Sequence, residues 1–287
     1  MADYGIDPTS SLRSRIGPPT DLVVATYVEA GASDITAHTM TDEDGAIVER
    51  ALSRLPALHQ KILQQRLRRL SFVDLRPGAG SALTSPAGPI ATATAFDMTF
   101  RSSLLRESLS DFLNTKEANL FEDDASGTRI QFDAGQMDAL TFVLFHEATH
   151  VVDTTLGLTA DAASPFRVGV WETPRIPAAP YADSLAAKTW FRGAPKIPLA
   201  KAADYYRALS QTPFVTFYAA TTSAEDLAEL TAWQQLAARF GQTLTLTVLD
   251  GQGRTAFRYE PLNAPLVRPR FAPVATLLEG APAPVKG

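Results

Sequence analysis

Residues 146–150 read His-Glu-Ala-Thr-His. On a helix, histidines four apart share one face, a turn from each other. Two neutral imidazoles at that spacing can bind one Zn²⁺ through nitrogens at ~2.0–2.1 Å. Glu147 follows the first histidine, so it projects beside the metal rather than onto it. There it can accept a proton from a metal-activated water, which makes the pattern H-E-x-x-H one with a hydrolytic chemistry built in. The competing reading is a pair of structural histidines with satisfied hydrogen bonds. The segment "LTFVLFHEATHVVD" (140–153) is apolar almost all round and holds two of only four histidines in the chain. Titratable groups in such a helix need strong partners, and a metal supplies them.

A catalytic zinc takes three protein ligands and keeps one position open. The chain has no cysteine, so the third ligand is His, Asp or Glu. A third histidine in the longer H-E-x-x-H-x-x-G-x-x-H pattern would fall at Leu156, with Asp153 where the glycine belongs, and that arrangement is excluded. His59 reads as exposed on a charged helix and His38 as part of a polar loop. A carboxylate remains, and "TTSAEDLAELTAW" (221–233) offers the best one. Glu225 and Glu229 lie i, i+4, on the helical half that also carries Trp233, Leu236 and Phe240. We expect Glu225 as the third ligand and Glu229 one turn on, holding a ligand histidine by its free ring N–H. Asp226, Glu229 and, more remotely, Asp161 are the alternatives for the ligand. Thr222-x-x-Glu225 also reads as a capping box, which explains Glu225 without a metal but leaves Glu229 unexplained. Asp153, three residues past His150, is either a second support for the metal site or a solvated residue of the last turn.

"HEATH" followed by a helix beginning "AEDLAE" resembles the gluzincin branch of the zincin metallopeptidases, in particular the small anthrax lethal factor and Mlc titration factor A type. In that type a Glu opens an E-x-x-A-E pattern and a Tyr precedes it by a few residues; the corresponding positions are Glu225, Glu229 and Tyr218. The resemblance covers residues 139–153 and 218–230, a minority of the chain. It implies an α+β, zincin-like fold: a mixed, mostly antiparallel sheet packed on the active-site helix, a helical C-terminal lobe, and a substrate cleft beside the sheet edge. The activity implied is peptide-bond hydrolysis with one zinc per chain. Tyr218 is then the candidate donor to the tetrahedral oxyanion.

These residues need elements to position them. The active-site helix should run from about 136 to 155 and stop before Gly157. "TDEDGAIVERALSRLPALHQKILQQRLRRL" (41–70) is helical in period, with Thr41 and Asp44 as a capping box and Pro56 splitting it. "SFVDL" reads as a short strand and the Gly/Pro/Ser-rich residues after it as a loop. "IATATAFDMTF" (90–100) alternates as a strand and is the candidate sheet edge for an extended peptide; an interior strand is the alternative. A helix is expected at 103–114, a strand at 128–135, a helix in "AKAADYYRALS", an extended run in "TPFVTFYAA", the Glu225 helix at 223–240, and a hairpin turning on "DGQG". The Pro-rich, aromatic stretch 158–198 is either a lid or cleft wall or a packed loop. We divide the chain into a loose arm (1–20), one domain (21–263, with lobes meeting near 157) and a Pro/Ala-rich tail (264–287).

The bulk properties narrow the function classes. The 287 residues are 45% apolar and 20% charged, with net charge −5. Such a chain can bury a sizeable core. It lacks the basic face that nucleic acid or an anionic membrane would require. No run approaches 18 apolar residues. The first residues show no apolar signal region, leaving a cytoplasmic protein or an exported one whose leader has been removed, the latter preferred. The expected partner is a peptide or protein substrate. The rival readings are a non-catalytic or regulatory zinc protein, a zinc hydrolase of non-peptide amides, and a metal-free scaffold.

Overall fold

The structure, a computed structural model, describes residues 4–32, 34–76, 80–89, 93–190 and 195–280. In chain order the helices are α1 (Asp21–Glu29), α2 (Asp42–Ser53), α3 (Ala57–Arg66), α4 (Leu109–Ala118), α5 (Ala139–Leu156), α6 (Ala179–Ala182), α7 (Ala202–Leu209), α8 (Ser223–Phe240) and α9 (Phe271–Gly280). The strands are β1 (Thr36–Ala37), β2 (Leu67–Asp74), β3 (Ala82–Pro86), β4 (Phe96–Arg101), β5 (Phe121–Glu122) and β6 (Arg129–Asp133). They continue with β7 (Trp171–Thr173), β8 (Ile176–Pro177), β9 (Ile197–Pro198), β10 (Thr245–Leu249) and β11 (Thr255–Tyr259). The fold class is α+β. No helix of the described residues is long and apolar enough to cross a membrane.

Local chemistry sets the helix ends. Thr41 and Asp44 cap α2 reciprocally, side chain to backbone in both directions, and Pro56 starts α3 where the longer helical pattern breaks. Asp138 Oδ1 accepts the Thr141 N–H at 2.7 Å and so caps the start of α5. Gly157, at φ +69°, ends it in the left-handed conformation that costs other residues most.

The described chain divides into two compact units, each discontinuous in sequence. Residues up to 108 and 138–156 form the first; 109–137 and 157 onward form the second. This division differs from a single boundary near 157, because the chain leaves the first unit after 108 and returns to it for α5.

In the first unit the sheet order is β1-β2-β4-β3, with β2 and β4 parallel and the outer pairs antiparallel. β4 is paired on both sides and wholly buried. The strand expected over 90–100 is therefore interior, its first residues 90–92 lying outside the described ones. Among the described residues the edges are β1 and β3, and β3 sits inside the Gly/Pro/Ser stretch expected to be loop. α5 packs against α2, α3 and β3. The segment 4–20 is fastened here: Leu12 is buried, and Arg15 donates to the carbonyls of Leu63, Gln64 and Leu67 at 2.7, 2.7 and 2.5 Å. Leu63 and Gln64 stand in the last turn of α3 and Leu67 opens β2, so Arg15 supplies donors where the helix runs out of its own.

The second unit carries its own antiparallel sheet, β6-β10-β11, with α4 on β6, α7 on β11 and α8 beside α9. The hairpin β10–β11 turns through "DGQG", with Gly253 at φ +78°. The residues "TPFVTFYAA" form buried turns rather than an extended run. The expected tail contributes α9, with Val274 and Leu278 buried.

Candidate metal centre

α5 presents both histidines as its period requires. Their Nε2 atoms converge to 3.1 Å, with the rings edge to face at 4.8 Å between centroids. Two ligands on one tetrahedral zinc with ~2.0–2.1 Å bonds stand roughly 3.3 Å apart, so the helix already holds the two nitrogens at the bite of a single ion. Glu225, the expected third ligand, belongs to the second unit. Two imidazoles and a carboxylate, with no thiolate, form a donor set suited to catalytic zinc.

Glu147 lies between the histidines in sequence and is 8% exposed. Its Oε2 accepts the hydroxyl of Thr84 at 2.6 Å. Thr84 belongs to β3, and nothing in the sequence pattern marked it, since its strand is short and flanked by Gly, Pro and Ser.

The acidic residues of α8 take separate partners. Glu225 stands in the first turn, its N–H accepted by the Thr222 side chain at 3.1 Å, so the capping reading and the ligand reading of this residue hold different atoms. Asp226 is fully buried and receives Arg270 through both oxygens at 2.9 and 2.7 Å, and the Trp171 indole N–H at 2.7 Å. Burial pushes the Asp226 carboxyl up, against the pull of Arg270. Glu229 accepts Lys116 at 2.9 Å and the Trp233 indole at 3.3 Å. The oxygens of Asp226 and Glu229 are thus engaged within their own unit, those of Glu229 by Lys116 and Trp233. Asp161 accepts a backbone N–H in an exposed turn. Asp153 is buried in the last turns of α5. Tyr218 is half-buried, with the Lys116 ammonium 4.1 Å from its ring centroid.

The other two histidines fall away from the ligand set. His59, expected on an exposed helix, is 0% exposed. With Ile62 and Leu63 it forms the buried face of α3, an i, i+3, i+4 set that the charged residues around it disguise. Its Nε2 lies 3.0 Å from Thr149 Oγ1. His38 sits between Asp74 and Asp44, with nitrogen–oxygen distances of 2.9 and 3.4 Å.

In the segment 158–198, Phe166 and Trp171 are buried in the second unit's own core, and Tyr181 packs edge-on against Phe214. Arg167 ties the segment internally to the carbonyls of Thr159 and Glu172. Trp190 is exposed, and Phe191 lies outside the described residues.

No family model matches the chain, and no curated protein matches it. One solved structure overlaps it, described as a proposed zinc-binding metallo-peptidase from Bacteroides caccae. The identity is 12%, the TM-score 0.41, and the overlap covers 87% of this chain and 75% of that one. An overlap that loose assigns neither family nor function.

Proposed function

We propose that the chain is a zinc-dependent peptidase of zincin-like, gluzincin type, with His146, His150 and Glu225 as metal ligands and Glu147 as general base. The observation that carries the reading is the convergence of the two Nε2 atoms at 3.1 Å on the helix that also bears Glu147. Zinc, when bound, acidifies water to a pKa near ~7 and polarises the scissile carbonyl. The Glu147 carboxylate takes the proton of the attacking water and passes it to the departing amine. An extended substrate adds to the open edge of β3 by strand pairing, which brings its backbone past Thr84 and Glu147. Tyr218 serves as the donor to the oxyanion.

The test is metal analysis of the purified protein together with digestion of a quenched-fluorescent peptide library. Glu147→Gln should keep one zinc per chain and lose turnover by about 10²–10⁴-fold. A zinc-loaded wild type that cleaves no member of the library, or a fully active Glu147→Gln, overturns the reading.

A further inference from the structure

We infer that Thr84 is a positioning residue for Glu147, holding its carboxylate in one rotamer so that a single oxygen faces the reaction; this rests on the peptidase reading above.

The strand alternation puts Thr84 where a hydroxyl is not required by packing. Leu83 packs, with Ile35 and Leu75, against a small core of Val23, Tyr27 and Ala32. The next residue, Thr84, points to the opposite face, the one that meets α5. In register it lies opposite Met98, which in turn pairs with Leu70, and both are buried. A valine would complete that apolar row equally well. The hydroxyl instead has Glu147 as its neighbour twice over: Oε2 at 2.6 Å and the backbone carbonyl at 3.4 Å. A hydroxyl carries one proton, and the ionised oxygen at 2.6 Å is the stronger and better-placed acceptor.

This bond sorts the two carboxylate oxygens. Oε2 is bound by Thr84, and rotation of the carboxylate is arrested. Oε1 accepts no protein hydrogen bond among the described residues and is the oxygen presented for the proton. A glutamate has three side-chain torsions to fix, and the productive geometry of a general base is narrow. Because the donor comes from the edge strand, the base is referenced to the same strand on which an added peptide would lie.

The experiment compares Thr84→Val and Thr84→Ser with wild type in zinc-loaded protein, using the best-cleaved peptide of the library, and in crystals of the metal-free protein. Thr84→Val should lower kcat by about 10–100-fold, with KM, zinc stoichiometry and the absorption spectrum of the cobalt-substituted protein unchanged. Thr84→Ser should restore kcat. In the metal-free crystals Glu147 should hold one conformer in wild type and in Thr84→Ser, and several in Thr84→Val. The inference is overturned if Thr84→Val keeps its turnover, if Thr84→Ser is damaged as much as Thr84→Val, or if Glu147 keeps its single conformer without the hydroxyl. If zinc-loaded wild type cleaves no peptide, the peptidase reading falls by itself, and the Glu147 conformers still decide whether Thr84 holds the carboxylate.

Discussion

Replacing His59 by leucine should flatten the acid dependence of stability by an amount the structure fixes. The Thr149 hydroxyl donates to the Phe145 carbonyl at 2.7 Å, so toward His59 it can only accept, and the imidazole proton belongs on Nε2. Nδ1 is buried with no partner, and a second proton there would be a buried charge with no acceptor. Burial accordingly lowers the pKa of His59 from 6.5 to about 3. Unfolded, the ring takes its proton below pH 6.5; folded, only near pH 3. The unfolded state binds more protons across that window, so stability falls as pH falls, by up to ~1.4 kcal/mol per pH unit. Between pH 6 and pH 4 the single-site expression gives a loss of about 2.5 kcal/mol. Glu117 works the other way. Burial raises its carboxyl from 4.5 to about 7, against the Tyr206 hydrogen bond, so its contribution is whole below pH 4.5 and disappears as pH rises through 7. Being common to both proteins, it cancels in the difference. Urea unfolding of metal-free wild type and His59→Leu at pH 4, 5 and 6 measures that difference. The wild type should lose about 2.5 kcal/mol more than the variant on going from pH 6 to 4. A difference that stays constant with pH refutes the argument, since it would mean that folded His59 titrates as an unfolded one does.

Three further outcomes can be checked on the same preparations. Glu225→Ala should weaken zinc affinity at least ~100-fold in a competitive chelator titration. Asp226 and Glu229 cannot substitute, because Arg270, Trp171, Lys116 and Trp233 hold their oxygens; unchanged affinity would remove Glu225 from the ligand set. Asp226→Ala leaves the Arg270 guanidinium and the Trp171 N–H without their acceptor, and should cost about 3–5 kcal/mol in urea unfolding; a loss below ~1 kcal/mol contradicts the ion pair's structural role. Tyr218→Phe keeps a ring beneath the Lys116 ammonium, so the melting temperature should hold while kcat and kcat/KM fall together by ~100-fold. Retained turnover with lost stability would make Tyr218 a packing residue.

Where the sequence carries both period and punctuation, it reads well. The expected 223–240 helix is α8 to the residue, and α5 stops at Gly157 as its sequence requires. Pro56 divides α2 from α3. What stayed hidden depends on partners distant in the chain. His59 looks solvated because Gln60, Lys61 and the glutamines around it are, and only the helix it meets makes it core. β3 is five residues between Gly, Ser and Pro, and becomes a strand by pairing with β4. That same pairing turns β4 from an edge into an interior strand. The carboxylates of α8 could be placed on one face from their spacing. Sorting them needed Arg270 and Lys116, which lie 44 and 113 residues away.

The interleaving of the two units has a consequence for how the chain is made. α2 and α3 bury Val48, Ala51, Leu52, Ile62 and Leu63, and α5 is among the elements they pack against. Synthesis reaches residue 108 with that partner still missing, and 48 residues must follow before α5 is complete. At ~5–20 residues per second the nascent first unit waits roughly 2–10 s with an apolar surface uncovered. The helix that bears His146 and His150 is thus also, among the described residues, the last piece of its unit to be synthesised. A chain arrested before residue 146 would expose α2 and α3 to chaperones and would hold neither His146 nor His150.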